Sequence, residues 1–219
     1  VLRSGGFPAD ERGIVGIGTL IIFIALILVA AVAAGVIIRT SGQLREQARA
    51  TGREAIQQVS AGVQVVTVTG RVAGGENIDN AQIVIKLRPG SPGVNLQEAV
   101  VEYISTDVDK HLKLGENDNG YPLAFNTREE LYAQWDQLDD NEFAVVKIID
   151  VEGAKPYILS TTGAMAEIWI NIKIIEDDVG GALQEDEKAW VKIIPKVGIE
   201  TREVLLVPAA LDGLAVTEL

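Results

Sequence analysis

Between Arg12 and Arg39 stand 25 consecutive residues without a charge, Ile14 to Ile38, reading IVGIGTLIIFIALILVAAVAAGVII. As an α-helix rising about 1.5 Å per residue this run reaches about 37 Å, enough to cross a hydrocarbon layer of about 30 Å. A secretory signal has a basic start, an apolar core of about 7 to 15 residues and a cleavage site after that core. Here the core is longer, and the residues before it, FPADERG, are not strongly basic. Insertion in a membrane at some stage follows. The run alone leaves open whether the segment stays in lipid as an anchor or leaves it.

The helical pattern does not stop at Arg39. In LREQARATGREAIQQVSAGVQVV, Leu44, Ala48, Gly52, Ala55, Val59, Gly62 and Val66 recur at spacings of three and four and share one helix face. Arg45, Arg49 and Arg53 follow one another at i, i+4 on a second face. The spacing predicts one nearly continuous helix from about Ile14 to the mid-60s, apolar all round in its first half and amphipathic in its second. Gly16, Gly18, Ala30, Ala33, Ala34 and Gly35 would let a neighbouring helix approach closely. With the larger Ile22, Ile24, Leu28 and Ile38 they form a candidate surface for packing the helix against copies of itself.

The rest of the composition mainly excludes. There is no cysteine, so disulfides, thiolate metal sites and cysteine nucleophiles are ruled out. The single histidine, His111, leaves no histidine cluster for zinc and is read as a solvated residue of a polar loop. No Walker-type phosphate loop is present, and the Gly16-Ile17-Gly18 triplet lacks the strand and third glycine of a dinucleotide fingerprint. Residues 67–219 carry 13 Lys and Arg against 27 Asp and Glu, while residues 39–66 carry four against two. An acidic body on a mildly basic stem does not suit nucleic acid, whose phosphates need clustered cations. None of the eight asparagines is followed by Ser or Thr two places on, so no N-glycosylation sequon is present. No catalytic residue and no cofactor are expected. The nearest thing to an ion site is a set of hard oxygen donors, Asp107, Asp109, Glu116 and Asp118, which would suit Ca²⁺ or Mg²⁺ but lack EF-hand spacing.

From Val63 the period changes to two. VQVVTVTGRV, AQIVIKL, EAVVEYI, FAVVKIIDV, PYILSTT, AEIWINIKII, KAWVKII and EVLLV read as short strands, punctuated by RPGSPG, ENDNGYP and DDVGGA. Many short strands without alternating long helices predict an antiparallel sandwich or barrel. TREELYAQWDQL is the one later helical candidate, with Thr127 placed to cap and Glu130 three residues on. Trp135, Trp169 and Trp190 are read as core or interface anchors. AEIWINIKII is apolar on both faces, which predicts that neighbouring copies cover part of the sheet.

RGIVGIGTLIIFIALILVAAVAAGVIIRTSGQLREQARATGREAIQQVSAGVQVVTVTGRV, residues 12 to about 72, resembles the N-terminus of archaeal flagellins (archaellins), members of the type IV pilin-like superfamily. The closing KIIPKVGIETREVLLVPAAL resembles, more weakly, the family's last strands. Gly18 stands at mature position five, where bacterial type IV pilins usually carry Glu and archaellins typically do not, in keeping with the archaeal branch. The resemblance implies an α+β chain: a long N-terminal hydrophobic α-helix followed by an antiparallel, immunoglobulin-like β-sandwich. It implies a class III leader over residues 1–13, cut by a prepilin peptidase between Gly13 and Ile14, with Arg12 flanking the cut. It further implies an assembly helix over 14–66 and an outer β-domain over 67–219. The expected function is a structural subunit of the archaellum, an extracellular helical homopolymer used for swimming. A membrane before assembly, an assembly ATPase and its membrane platform are the other implied partners. An adhesion pilus subunit, or a membrane-anchored β-sandwich binding protein, is the alternative.

Overall fold

The computed structural model describes residues 11–73, 77–151, 153–177, 182–209, 211 and 216–218. Residues 1–10 of the expected leader lie outside the described residues. The chain divides into two units, residues 1–53 and 54–219.

Helix α1 runs unbroken over Glu11–Ser60, 50 residues. No proline occurs within it, so no backbone donor is missing from its ladder. The hydroxyls of Thr19 and Thr40 donate back to the carbonyls of Gly16 and Val36, at 2.9 and 2.8 Å, so neither adds an unsatisfied polar group to the apolar segment.

The helix ends six residues before the expected boundary at 66. The β-branched Val63, Val65 and Val66 belong to strand β1, Val63–Ala73, and the change of direction is made at Ala61 and Gly62. Gly62 adopts φ 155° and Gly198 φ 118°, and a β-carbon on Gly198 would lie 2.3 Å from the Ala61 carbonyl oxygen. That close approach lets Ile199 N–H donate to Ala61 O at 2.9 Å, while Thr201 Oγ1 and Arg88 Nε donate to Val63 O at 2.7 and 3.0 Å. Gly62 N–H donates to Ser91 Oγ at 3.1 Å. Residues 61–63 are thus tied to two loops distant in sequence, and their buried backbone groups are satisfied.

Strand β1 pairs with β2 (Asn77–Leu87), which pairs with β9 (Met165–Asn171), which pairs with β7 (Glu142–Ile149). On the other side β4 (Val100–Ile104) lies between β5 (Asp109–Leu114) and β10 (Lys188–Ile194), with β11 (Thr201–Leu206) outside β10. β12 (Val216–Glu218) pairs with β1. The pairs are antiparallel except β5 with β7 and β6 (Ala124–Phe125) with β7, which are parallel. The short β5–β7 contact joins the two halves into one ten-stranded sheet; β3 (Val94–Asn95) and β8 (Ile158–Leu159) form a separate pair.

One apolar core serves both halves. Ile83 and Ile85 of β2, Ile168 and Ile170 of β9, Val101 and Tyr103 of β4, and Val191 and Ile193 of β10 are all buried in it. Their period-two spacing is the sequence alternation made structural. Tyr103 Oη donates to Glu176 Oε1 at 2.7 Å, which satisfies two polar groups placed inside that core.

Three expectations are corrected. AEIWINIKII is not one strand: β9 ends at Asn171, whose side chain accepts from Ile174 N–H and starts a single turn, Ile172–Ile175, that buries Ile172 and Ile175. Much of its second apolar face is covered by this chain's own segment. Leu123, Phe125, Leu131 and Leu138 close over Ala144, Val146 and Trp169, with Trp135 packed edge-on to Trp169. Lastly, His111 stands on strand β5 and not in a loop.

The helical candidate near 127 is present but short, α2 over Arg128–Tyr132 followed by a 3₁₀ turn at Trp135–Gln137. Thr127 caps it, accepting from Glu130 N–H, and Glu130 reaches back to accept from Asn126 N–H at 3.0 Å. Trp169 is core, whereas Trp190 is partly exposed on the outer face of β10.

Candidate functional site: an uncovered apolar helix

Arg12, Gly13 and Ile14 lie within the described backbone of α1, so the expected cleavage bond is in helical conformation. From Val15 to Val59 every residue is exposed except Gly18, which is half-buried. Ile22, Leu28 and Ile38 keep 63, 61 and 72% of their surface, values that only a single helix without neighbours gives. Burying a side chain of this kind is worth about 1.5–3 kcal/mol, so a run of them bare to water is untenable. The helix is long and apolar enough to cross a membrane.

The glycines sharpen this. A β-carbon at Gly16, Gly18, Gly35, Gly42 or Gly52 would meet nothing within 4 Å. Each glycine in a helix interior costs about 1 kcal/mol relative to alanine, and no contact among the described residues requires any of them. The candidate packing residues Gly16, Gly18, Ile22, Ile24, Leu28, Ala30, Ala33, Ala34, Gly35 and Ile38 therefore share one property: an apolar surface of small and large steps left uncovered among the described residues. Such surfaces pack helix against helix where backbones come close.

The oxygen donors behave differently. Asp109 sits beside Glu102 and His111 across the β4–β5 pair, their ligand atoms within 4.8 Å of one another. Asp107 lies in an exposed bend, and Glu116 and Asp118 in a separate turn, so the four candidates do not converge. Lys192 Nζ stands 3.2 Å from Glu102 and 3.1 Å from Glu200, and hydrogen bonds to these carboxylates raise its pKa. Glu102 already has a cation, and the strand face is held by ion pairing. The sequence did not point to this cluster because DKHLKL was not read as a strand; the alternation of His111 and Lys113 with buried Leu112 and Leu114 is the signal.

Residues 13–203 match the family Archaeal-type flagellin. Flagellin A2 of Haloferax volcanii is 34% identical over 210 residues, 93% of each chain. Flagellin B3 of Methanocaldococcus jannaschii is 34% identical over 194 residues, 86% of this chain and 87% of its own. In fold, the crystal structure of archaeal flagellin FlaB1 from M. jannaschii matches with a TM-score of 0.61 at 19% identity, covering 72% of this chain and 96% of its own. The archaeal flagellum of Methanospirillum hungatei matches with a TM-score of 0.58 at 14% identity, covering 89% and 94%. A long apolar helix, an acidic β-domain after it in the chain, a family match over residues 13–203 and 34% identity along nearly the whole length together show that the chain belongs to the archaeal-type flagellins, the structural subunits of the archaeal flagellar filament.

Proposed function

We propose that this flagellin polymerises through Ile14–Ile38, which is stored in the membrane before assembly and packs against the same segment of other copies in the filament core afterwards. The observation that carries this reading is the helix that leaves its large apolar side chains from Val15 to Val59 uncovered and holds glycines that no contact among the described residues uses. An apolar helix among identical helices is as dry as one in lipid, and close approach at glycine and alanine adds dispersion, so transfer from one to the other is not uphill. A head-to-tail contact that does not close on itself extends into a helical polymer.

The leader chemistry fits the same route. Cutting between Gly13 and Ile14 removes Arg3, Asp10, Glu11 and Arg12, two cations and two anions, and leaves the net charge of −12 unchanged. It frees an α-amine on a segment that stays apolar. A prepilin peptidase makes the cut, an assembly ATPase and its membrane platform extract the subunit, and the acidic β-domain forms the outside of an extracellular filament. The role is mechanical, with no catalytic step. N-terminal sequencing of the protein from sheared filaments tests it: the chain begins at Ile14, and an intact leader or another start overturns the route.

A further inference from the structure

A second surface is built for a partner, and it lies on the β-domain. The outer face of β1, β2 and β9 forms the floor of a trough of about 580 Å³, walled by α2 and lined by Thr69, Arg71, Asn80, Arg128, Tyr132 and Trp169 among others. Arg71 is exposed and stacks over the Tyr132 ring at 5.4 Å. It pairs with no carboxylate among the described side chains. Asn80 Oδ1 is buried at the trough without a hydrogen-bond partner among the described residues. A buried amide oxygen needs a donor, whereas a guanidinium needs an acceptor of negative charge. An acidic side chain on a protein surface answers the exposed arginine.

The same chain presents such a peptide. Between β5 and β6 the turn Glu116–Tyr121 stands out from the domain, with Glu116 and Asp118 exposed and Tyr121 keeping 68% of its surface. Asn117 Oδ1 accepts from both Asn119 N–H and Tyr121 N–H, and Gly120 N–H donates to Asn117 O at 2.7 Å, so the turn is already ordered and little entropy is lost on docking it. No residue of the turn lines the trough, so the two are distinct patches of one domain. Residues 67–219 carry a net −14, so packed copies repel unless cation meets anion where they touch.

We infer that the Arg71 trough of one subunit receives the Glu116–Tyr121 turn of a second copy, Arg71 meeting its carboxylates. The contact is heterologous, joining two different patches, and so repeats from copy to copy along a filament. It rests on the filament reading but not on the helix residues.

The absence of cysteine makes the test direct. Cells co-expressing full-length Thr69→Cys and Asp118→Cys chains are used to prepare filaments, which are treated with a short bismaleimide and analysed by peptide mass spectrometry. The expected product is a dimer joining position 69 to position 118, formed only when both variants are present. Bridges only between two copies of position 69 or two copies of position 118, or no bridge in well-formed filaments, overturn the assignment. Arg71→Glu should lower filament yield about tenfold, and adding Asp118→Arg should restore it; a double variant no better than the single overturns the pairing. Well-formed filaments of the two cysteine variants that lack the bridge leave the helix-core route standing, whereas wild-type cells with no filament containing this chain contradict that route itself.

Discussion

Arg128 and Glu167 form a two-point ion pair on the outer face of the sheet: Arg128 Nε–H donates to Glu167 Oε2 at 2.9 Å, and its Nη2–H donates to Oε1. Glu167 is buried, and Trp169 Nε1–H donates to the same Oε2 at 2.9 Å. The hydrogen bond to Glu167 holds the Arg128 pKa above its ordinary value although burial pulls it down. The pair pins α2 over Trp169, and so fixes both the small outer core and the wall of the trough. Arg128→Ala leaves a buried carboxylate with one donor and should cost about 3 kcal/mol. Arg128→Ala combined with Glu167→Gln should recover part of that loss in a thermal melt of the folded chain; an unchanged melting temperature for the single variant contradicts the assignment.

Gly198→Ala should be among the most damaging small substitutions. The new methyl would sit 2.3 Å from the Ala61 carbonyl oxygen, a backbone atom that cannot move without breaking the Ile199 N–H bond to it, and φ at this position is 118°. A loss of about 2–4 kcal/mol is expected, read by denaturant titration. Gly120→Ala, at φ 75° with open space around it, should cost less.

Burial, followed by the charge of Glu176 and the hydrogen bond to it, pushes the Tyr103 phenol far above its ordinary value of 10. A group whose folded pKa is raised contributes stability that is fully present below the unfolded value and is lost as pH rises beyond it, so this contribution fades above about pH 10. Ultraviolet titration should therefore show a tyrosinate component that appears only with unfolding. Tyr103→Phe should remove that component and, by leaving Glu176 without its donor, cost about 1–3 kcal/mol. Ionisation of every tyrosine in the intact fold would contradict the burial of Tyr103.

Asp150 supplies the acid-side counterpart. Burial raises its pKa, but hydrogen bonds from Ser160 Oγ–H at 2.7 Å, Ser160 N–H at 2.9 Å, Val151 N–H at 2.7 Å and Thr161 Oγ1–H outweigh it and hold the carboxyl below its ordinary value. A depressed folded pKa contributes stability present above the unfolded value, near 3.9, and lost as pH falls through the folded one. Asp150→Asn should lower stability at pH 7 and flatten the loss between about pH 4 and pH 2. An Asn variant with the wild-type acid profile would show that these bonds do not favour the charged form.

Much of this was legible in the residues. Ile14–Ile38 and the three-and-four spacing beyond Arg39 gave the helix, and alternation gave β1, β2, β4, β7 and β10. What was not legible depends on contacts distant in sequence. The helix end at Ser60 is set by Gly198 reaching Ala61, over 130 positions away, and the local pattern at Val59, Gly62 and Val66 still reads as helical. The covered second face of β9 looked like a surface for neighbours because nothing in AEIWINIKII says that Leu131 and Leu138 fold over it. Glu102, Asp109 and His111 are brought together only by strand pairing. The candidate packing residues of α1 were legible because a local pattern of small and large apolar residues is enough to propose them.

The most direct test of assembly through this helix is electron microscopy of cells whose only copy of the protein carries Ala34→Arg, scored against membrane-associated subunit. An unpaired charge among tightly packed apolar helices costs several kcal/mol, and every copy in the polymer would carry it. No filaments, with a processed subunit beginning at Ile14 retained in the membrane fraction, is the predicted result; filaments of normal number and length would contradict a core built from Ile14–Ile38.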